Sequence, residues 1–234
     1  KKITYLAISF IFIFTDILVY VSSERTALGL MFFITFFIII FVKNFRLLRL
    51  ITFFVSILSI VIISLFSPEI KKRNIDHTLN QVGITDNSRI VMFSPQHESH
   101  IITSYRIFID NPVFGSGPNT FRKLCGEEKY NHNELSCSTH PHQVYVQALA
   151  EVGIIGFLIF LTAPIYLIWL IIKEIFLRFK FNTSKLDDYQ ICLIAAIGIS
   201  FIPFLPTLNL FNNWINVIYF LPVGFLLQSL YKKR

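Results

Sequence analysis

The residues suited to proton transfer are confined to one stretch. All six histidines, His77, His97, His100, His132, His140 and His142, fall between positions 67 and 143 of a 234-residue chain. Four of them form two close pairs, His97-x-x-His100 and His140-Pro141-His142. Imidazole titrates near neutrality, so it can take up and return a proton under ordinary conditions. Each pair also has the spacing to offer two metal ligands. The zincin pattern His-Glu-x-x-His is nevertheless absent, because the histidine after His97-Glu98 comes one residue too early. No metal or other cofactor is expected, and a zinc hydrolase is the weaker reading.

What must hold these histidines is a membrane protein. The chain is 54% hydrophobic and only 15% charged, and it carries 26 Phe. A soluble domain averages about 25% charged residues, so a soluble enzyme, a disordered chain and a disulfide scaffold are excluded. Apolar runs long enough to cross a bilayer cover 3–21 (interrupted by Asp16), 26–42, 50–66, 152–172, 189–206 and 214–231. The expected fold is all-α, a polytopic transmembrane bundle of about six spans with one long loop. It divides into three spans in 1–66, the loop in 67–143 and three spans in 144–234. The chain opens Lys1-Lys2 without Met and reads as the C-terminal part of a longer protein. The first run is not a signal peptide, since no small-residue cleavage site follows it.

If the spans alternate, Lys1, Lys2, Lys43, Arg46, Arg49, Lys173, Arg178, Lys180, Lys185, Lys232, Lys233 and Arg234 share one side. The positive-inside rule makes that side cytoplasmic and puts the loop outside. The net charge of +7 is then mostly a topology signal, and nucleic acid is not an expected partner. The loop carries eight Lys/Arg against eight Asp/Glu. Cys125 and Cys137 lie twelve residues apart in it. Outside the cytoplasm they can form a disulfide that closes a short loop, or remain free thiols. A helix is expected over 99–109, stopped by Asn111-Pro112, and Gly115-Ser116-Gly117-Pro118 reads as a turn.

Pro141 suits the first turn of a helix, which puts His142 at the outer mouth of the fourth span. On a continuous helix Gly153 lies about 20° around the axis from His142 and Gly156 about 40° the other way. Such a face carries an imidazole at the interface and two small residues beneath it, where a helix or a lipid chain can approach. That arrangement suits a base acting on a membrane-anchored substrate. The plainer alternative is an interfacial polar residue above helix-packing glycines.

His142-Gln143, nine residues, Gly153, two residues, Gly156 resembles the motif of the O-antigen ligase and O-antigen polymerase superfamily. The flanking His140-Pro141-His142 and Leu149-Ala150-Glu151 are similar to it. So are the stretch from Asp110-Asn111-Pro112 to Phe121, the turn Ser23-Glu24-Arg25-Thr26-Ala27, and Asn209-Leu210-Phe211-Asn212-Asn213-Trp214. The resemblance implies a metal-independent transferase of the bacterial inner membrane with its active site on the periplasmic side. It would take a glycan from undecaprenyl diphosphate and pass it to the lipid A core, as a ligase, or to a second carrier-linked repeat, as a polymerase. By the resemblance His142 is the base and arginines bind the diphosphate. Arg25 fits that role, since guanidinium forks match phosphate oxygens. The position where relatives carry a second arginine falls on His97, so His97, His100, Arg106 or Arg122 must substitute, Arg122 being preferred. His140, Gln143, Glu151, Gly153 and Gly156 would support the site. A lipid or glycan transporter is the non-enzyme alternative, although no internal repeat accompanies Pro203 and Pro206.

Overall fold

The computed structural model describes residues 2–81, 94–203 and 205–232. Lys1, Lys233 and Arg234, assigned above to the cytoplasmic side, lie outside the described residues. Every regular element among the described residues is helical. Four helices are long and apolar enough to cross a membrane, and two further apolar helices are shorter. The protein is therefore a multi-pass helical membrane protein of roughly six spans. Its chain packs as two units, 1–92 with 187–195, and 93–186 with 196–234.

In the first unit, α1 (Lys2–Val21), α2 (Arg25–Phe41) and α3 (Arg46–Phe66) are followed by the short helix α4 (Pro68–Lys71). A π turn over Lys72–Asp76 then leads into α5 (His77–Gln81). The three long helices expose apolar faces and bury a polar centre. Asp16 of α1 is 2% exposed and Arg49 of α3 is 3% exposed. The guanidinium grips both carboxylate oxygens at 2.8 and 3.0 Å. Ser56 donates to Asp16 at 2.8 Å, and Arg49 donates to Thr35 of α2. The cation also lies 4.5 Å from the Phe12 ring centroid. A lone carboxylate in this setting would be very costly; pairing and extra hydrogen bonds make it tolerable and tie three helices together. Arg49, grouped above with the basic residues between spans, is thus a buried member of α3. Asn74 donates to the Tyr20 carbonyl at the end of α1. Asp188 accepts from the Lys43 and Asn44 amides at 2.9 Å each, which fastens the α2–α3 turn to the start of α9 (Asp188–Gly198).

In the second unit, Ser94 caps α6 (Pro95–Asp110) with Pro95 in its first turn. The helix thus starts four residues earlier than expected. Its buried face is Ser99, His100, Thr103, Ser104 and Ile107, mostly small hydroxyls that permit close approach to α8. After α7 (Phe121–Leu124) and an irregular stretch comes α8 (Val144–Phe181). The fifth apolar run is shorter as a helix than the sequence suggests. α9 passes into a 3-10 turn over Ile199–Phe201 and the chain becomes extended at Ile202, because Pro203 and Pro206 supply no amide donors. Asn212 accepts from the Ile215 amide and so caps α10 (Asn213–Tyr231).

α8 is not one continuous helix. Gly153 has φ +65° and ψ −172°, a conformation essentially restricted to glycine. The break coincides with the start of the apolar run. Before it lies the piece 144–152, which carries Gln147 and Glu151; after it, 154–181 is about 42 Å long, enough for a hydrocarbon core of about 30 Å. Residues 112–117 thread the break. Ser116 and Gly117 donate to the carbonyls of Ala150 and Glu151 at 3.0 and 2.9 Å, while Ile154 and Ile155 donate to Pro112 and Val113 at 2.8 and 3.4 Å. Four backbone groups flanking the break are thereby paired outside the helix, which offsets the cost of interrupting it.

Candidate active site

The turn entering α8 fixes the motif histidine. His142 lies outside the helix with φ +57°, an uncommon conformation for a side-chain-bearing residue. Its carbonyl accepts from the Thr207 amide at 2.8 Å. Gln143 is the cap: its Oε1 accepts from the Tyr145 and Val146 amides at 2.7 and 3.0 Å, and its Nε2 donates to the Pro203 carbonyl at 2.9 Å. The expected helical face of His142, Gly153 and Gly156 is thus corrected twice, because His142 precedes the helix and Gly153 interrupts it. Gly153 admits the threaded loop instead. A Cβ on Gly156 would lie 2.6 Å from the Val152 side chain, so that glycine makes room for a side chain of its own helix.

Four imidazoles meet here. The His142 ring centroid lies 4.0 Å from that of His140, 5.6 Å from His100 and 5.7 Å from His97. α6 supplies His97 and His100; the segment before α8 supplies His140 and His142. The hydrogen bonds set the tautomers. The His140 Nε2 faces the Thr207 carbonyl at 3.3 Å and so carries the proton, leaving Nδ1 to accept from Thr139 at 2.9 Å. His142 shares a 3.0 Å hydrogen bond through Nε2 with Ser138, and His97 one of 2.8 Å through Nδ1 with Ser94.

Burial, then the neighbouring His142 and His97, push His100 down to about 4; the pull of the Leu135 and Cys137 carbonyls does not offset this. Burial followed by His142 lowers His140 to about 4. Burial also lowers His142. At neutral pH these three rings are uncharged, each with a nitrogen lone pair and one N–H. His100 accordingly contributes no positive charge to the site.

Below the rings runs a buried amide network. Glu151, fully buried, accepts from the Phe121 amide at 2.9 Å and from Gln147 at 3.0 Å. Gln147 donates to Asn209 at 2.6 Å and accepts from the Leu210 amide at 3.0 Å. Asn209 donates to Asn119 at 3.2 Å. Glu151 therefore anchors the start of α7, and with it Arg122, to α8. Arg106 is committed to the Asn131 carbonyl. Arg122 is exposed and makes no hydrogen bond among the described residues. Arg25, the first residue of α2, is exposed in the first unit. Cys125 and Cys137 are joined in a disulfide just ahead of Ser138.

Sequence reasoning missed Ser138, Gln147 and Thr207. Gln147, one helical turn before Glu151, was the legible one; Thr207 acts through its backbone, which leaves no signature. Among the described residues no group of three His, Cys, Asp or Glu side chains is arranged to hold a metal ion.

No curated protein matches the chain, and neither does any solved structure. The O-antigen ligase family model matches residues 8–161, well over half of the chain and inclusive of the His142–Gly156 motif, and the chain therefore belongs to the O-antigen ligase family.

Proposed function

We propose that the protein is a membrane glycosyltransferase acting at the periplasmic face, with residues 67–143 on that side. It transfers a glycan from undecaprenyl diphosphate to an acceptor hydroxyl of the lipid A core. The acceptor proton passes to a ring nitrogen of His142 as its oxygen bonds to the anomeric carbon. The bond from that carbon to the diphosphate oxygen breaks with inversion, and the diphosphate leaves with the electron pair. Arg122 binds phosphate oxygens. His97 and His100 serve as hydrogen-bonding groups beside the base. Written this way, the step uses side chains alone.

The observation carrying this reading is the placement of His142, half-buried in a left-handed turn and ringed by His97, His100 and His140. A base must be unprotonated before reaction, and burial shifts His142 in that direction. In membranes supplied with lipid-linked glycan and lipid A core, His142→Ala should abolish transfer while inserting normally. Full transfer by that variant would overturn the assignment. Replacing the core by a second carrier-linked repeat in the same assay tests the polymerase alternative.

A further inference from the structure

The two ring nitrogens of His142 have different surroundings. Nε2 faces the hydroxyl of Ser138 at 3.0 Å. Nδ1 has no hydrogen bond among the described residues, and unlike both nitrogens of His100 it is not sealed from solvent. Ser138 is itself held from both sides. Upstream, Cys137 is bridged to Cys125, and Ser99 of α6 bonds Asn133 Oδ1 at 2.7 Å and Ser136 Oγ at 3.1 Å. Ser136 in turn accepts from the His132 and Asn133 amides at 2.8 and 2.9 Å. Downstream, the His142 carbonyl and the His140 ring are both tied to the backbone of Thr207. The hydroxyl and the imidazole therefore meet with little freedom on either side. A base is effective only where the groups around it hold it to the productive geometry.

A serine hydroxyl can donate or accept, and the two choices have opposite consequences. If Ser138 donates to Nε2, the ring proton sits on Nδ1, and the one lone pair is occupied by the serine. If Ser138 accepts from Nε2–H, the lone pair is on Nδ1, the open nitrogen. The second arrangement also survives protonation. When Nδ1 takes up a proton, Nε2–H still points at the same oxygen, so no group has to reorient during the reaction. A hydrogen bond to the charged form favours that form, which works against the burial that lowers His142. We infer that Ser138 is a positioning residue, holding the Nε2–H of His142 so that Nδ1 is the base. This rests on the transferase reading above. The acceptor proton moves to Nδ1 as the acceptor oxygen bonds to the anomeric carbon. The diphosphate leaves with the electrons of the broken bond. The Nε2 proton stays in place, and the Nδ1 proton later passes to water.

Magnetic resonance of the full chain in lipid nanodiscs, with isotopically labelled histidine and no substrate, reads the tautomer of each ring; His142→Asn identifies the signals of His142. At neutral pH that ring should carry its proton on Nε2, and a proton on Nδ1 would overturn the assignment. Ser138→Ala should move the titration of His142 to lower pH, whereas Ser138→Thr, which keeps the hydroxyl, should titrate as the unaltered protein does. The titratable groups facing this ring are His97 and His100 of α6 and the neighbouring His140, and their own signals separate their titrations from it. In the transfer assay Ser138→Ala should lower kcat about tenfold or more, as loss of a hydrogen bond to a charged group does. Its KM for either substrate should be unchanged and the acidic limb of its pH profile displaced downward. Ser138→Thr should recover transfer to within about threefold. A Ser138→Ala protein with unaltered kcat and pH profile, or a glycan found covalently bonded to Ser138, would also overturn the assignment. The tautomer is read without substrate, so this inference fails separately from the transferase reading, which the loss or retention of transfer in His142→Ala decides.

Discussion

Gly153 and Gly115 meet backbone to backbone. A Cβ on Gly153 would lie 2.5 Å from the Gly115 amide nitrogen and 2.4 Å from the Val113 carbonyl oxygen, and one on Gly115 would lie 2.4 Å from the Glu151 carbonyl carbon. These are collisions with main chain, which cannot rotate aside. Gly153→Ala and Gly115→Ala should each destabilise the second unit by more than ~3 kcal/mol. Gly156→Ala, opposed by a side chain, should cost less. Gly198 and Gly224 have nothing within 4 Å of the added carbon and should accept Ala without loss. Thermal unfolding in detergent ranks the five variants.

Acid should act on the histidine cluster in a defined direction. His100 and His140 titrate at about 4 in the fold against about 6.5 in an unfolded chain. Between these values the unfolded chain binds more protons, so stability is full above pH 6.5 and falls as the pH drops toward 4. Hydrogen exchange of residues 94–143 should rise over that window, and His100→Leu should flatten part of the rise. Transfer should decline on acidification with an apparent pKa below 6.5, following the lowered His142.

In the first unit the ion pair between Asp16 and Arg49 is deeply buried. Removing one partner strands a charge, so Asp16→Leu and Arg49→Met should each cost roughly 3–5 kcal/mol. The double variant should recover most of that loss. Simple addition of the two costs in a double-mutant cycle on melting temperature would show that the groups do not interact.

Reducing the Cys125–Cys137 bridge should loosen the segment leading to His142. Closing a loop of this size is worth about 3 kcal/mol. Cys125→Ser should therefore raise proteolysis of residues 126–136 and lower transfer, with membrane insertion unchanged.

The spans were legible because apolar runs report burial in lipid directly. The loop helix was legible through its Asn111-Pro112 stop, though its start was set four residues late because Ser94 and Pro95 were not read as cap and first turn. Clustering of the histidines was legible as a compartment, not as a geometry. The break at Gly153 was not legible, since a 100° helical wheel assumes the continuity that the threaded loop removes. Nor was the partnership of Asp16 with Arg49, which only the packing of α1 on α3 creates. Gln143 was read as supporting the site by its place in the motif; that it caps α8 was not legible.

The threaded break also constrains how the protein is made. Residues 112–117 leave the ribosome before α8, yet the Ala150 and Glu151 carbonyls and the Ile154 and Ile155 amides take their partners from them. The break at Gly153 therefore completes its backbone pairing only once that loop segment is in place, and the loop and the start of the span mature together.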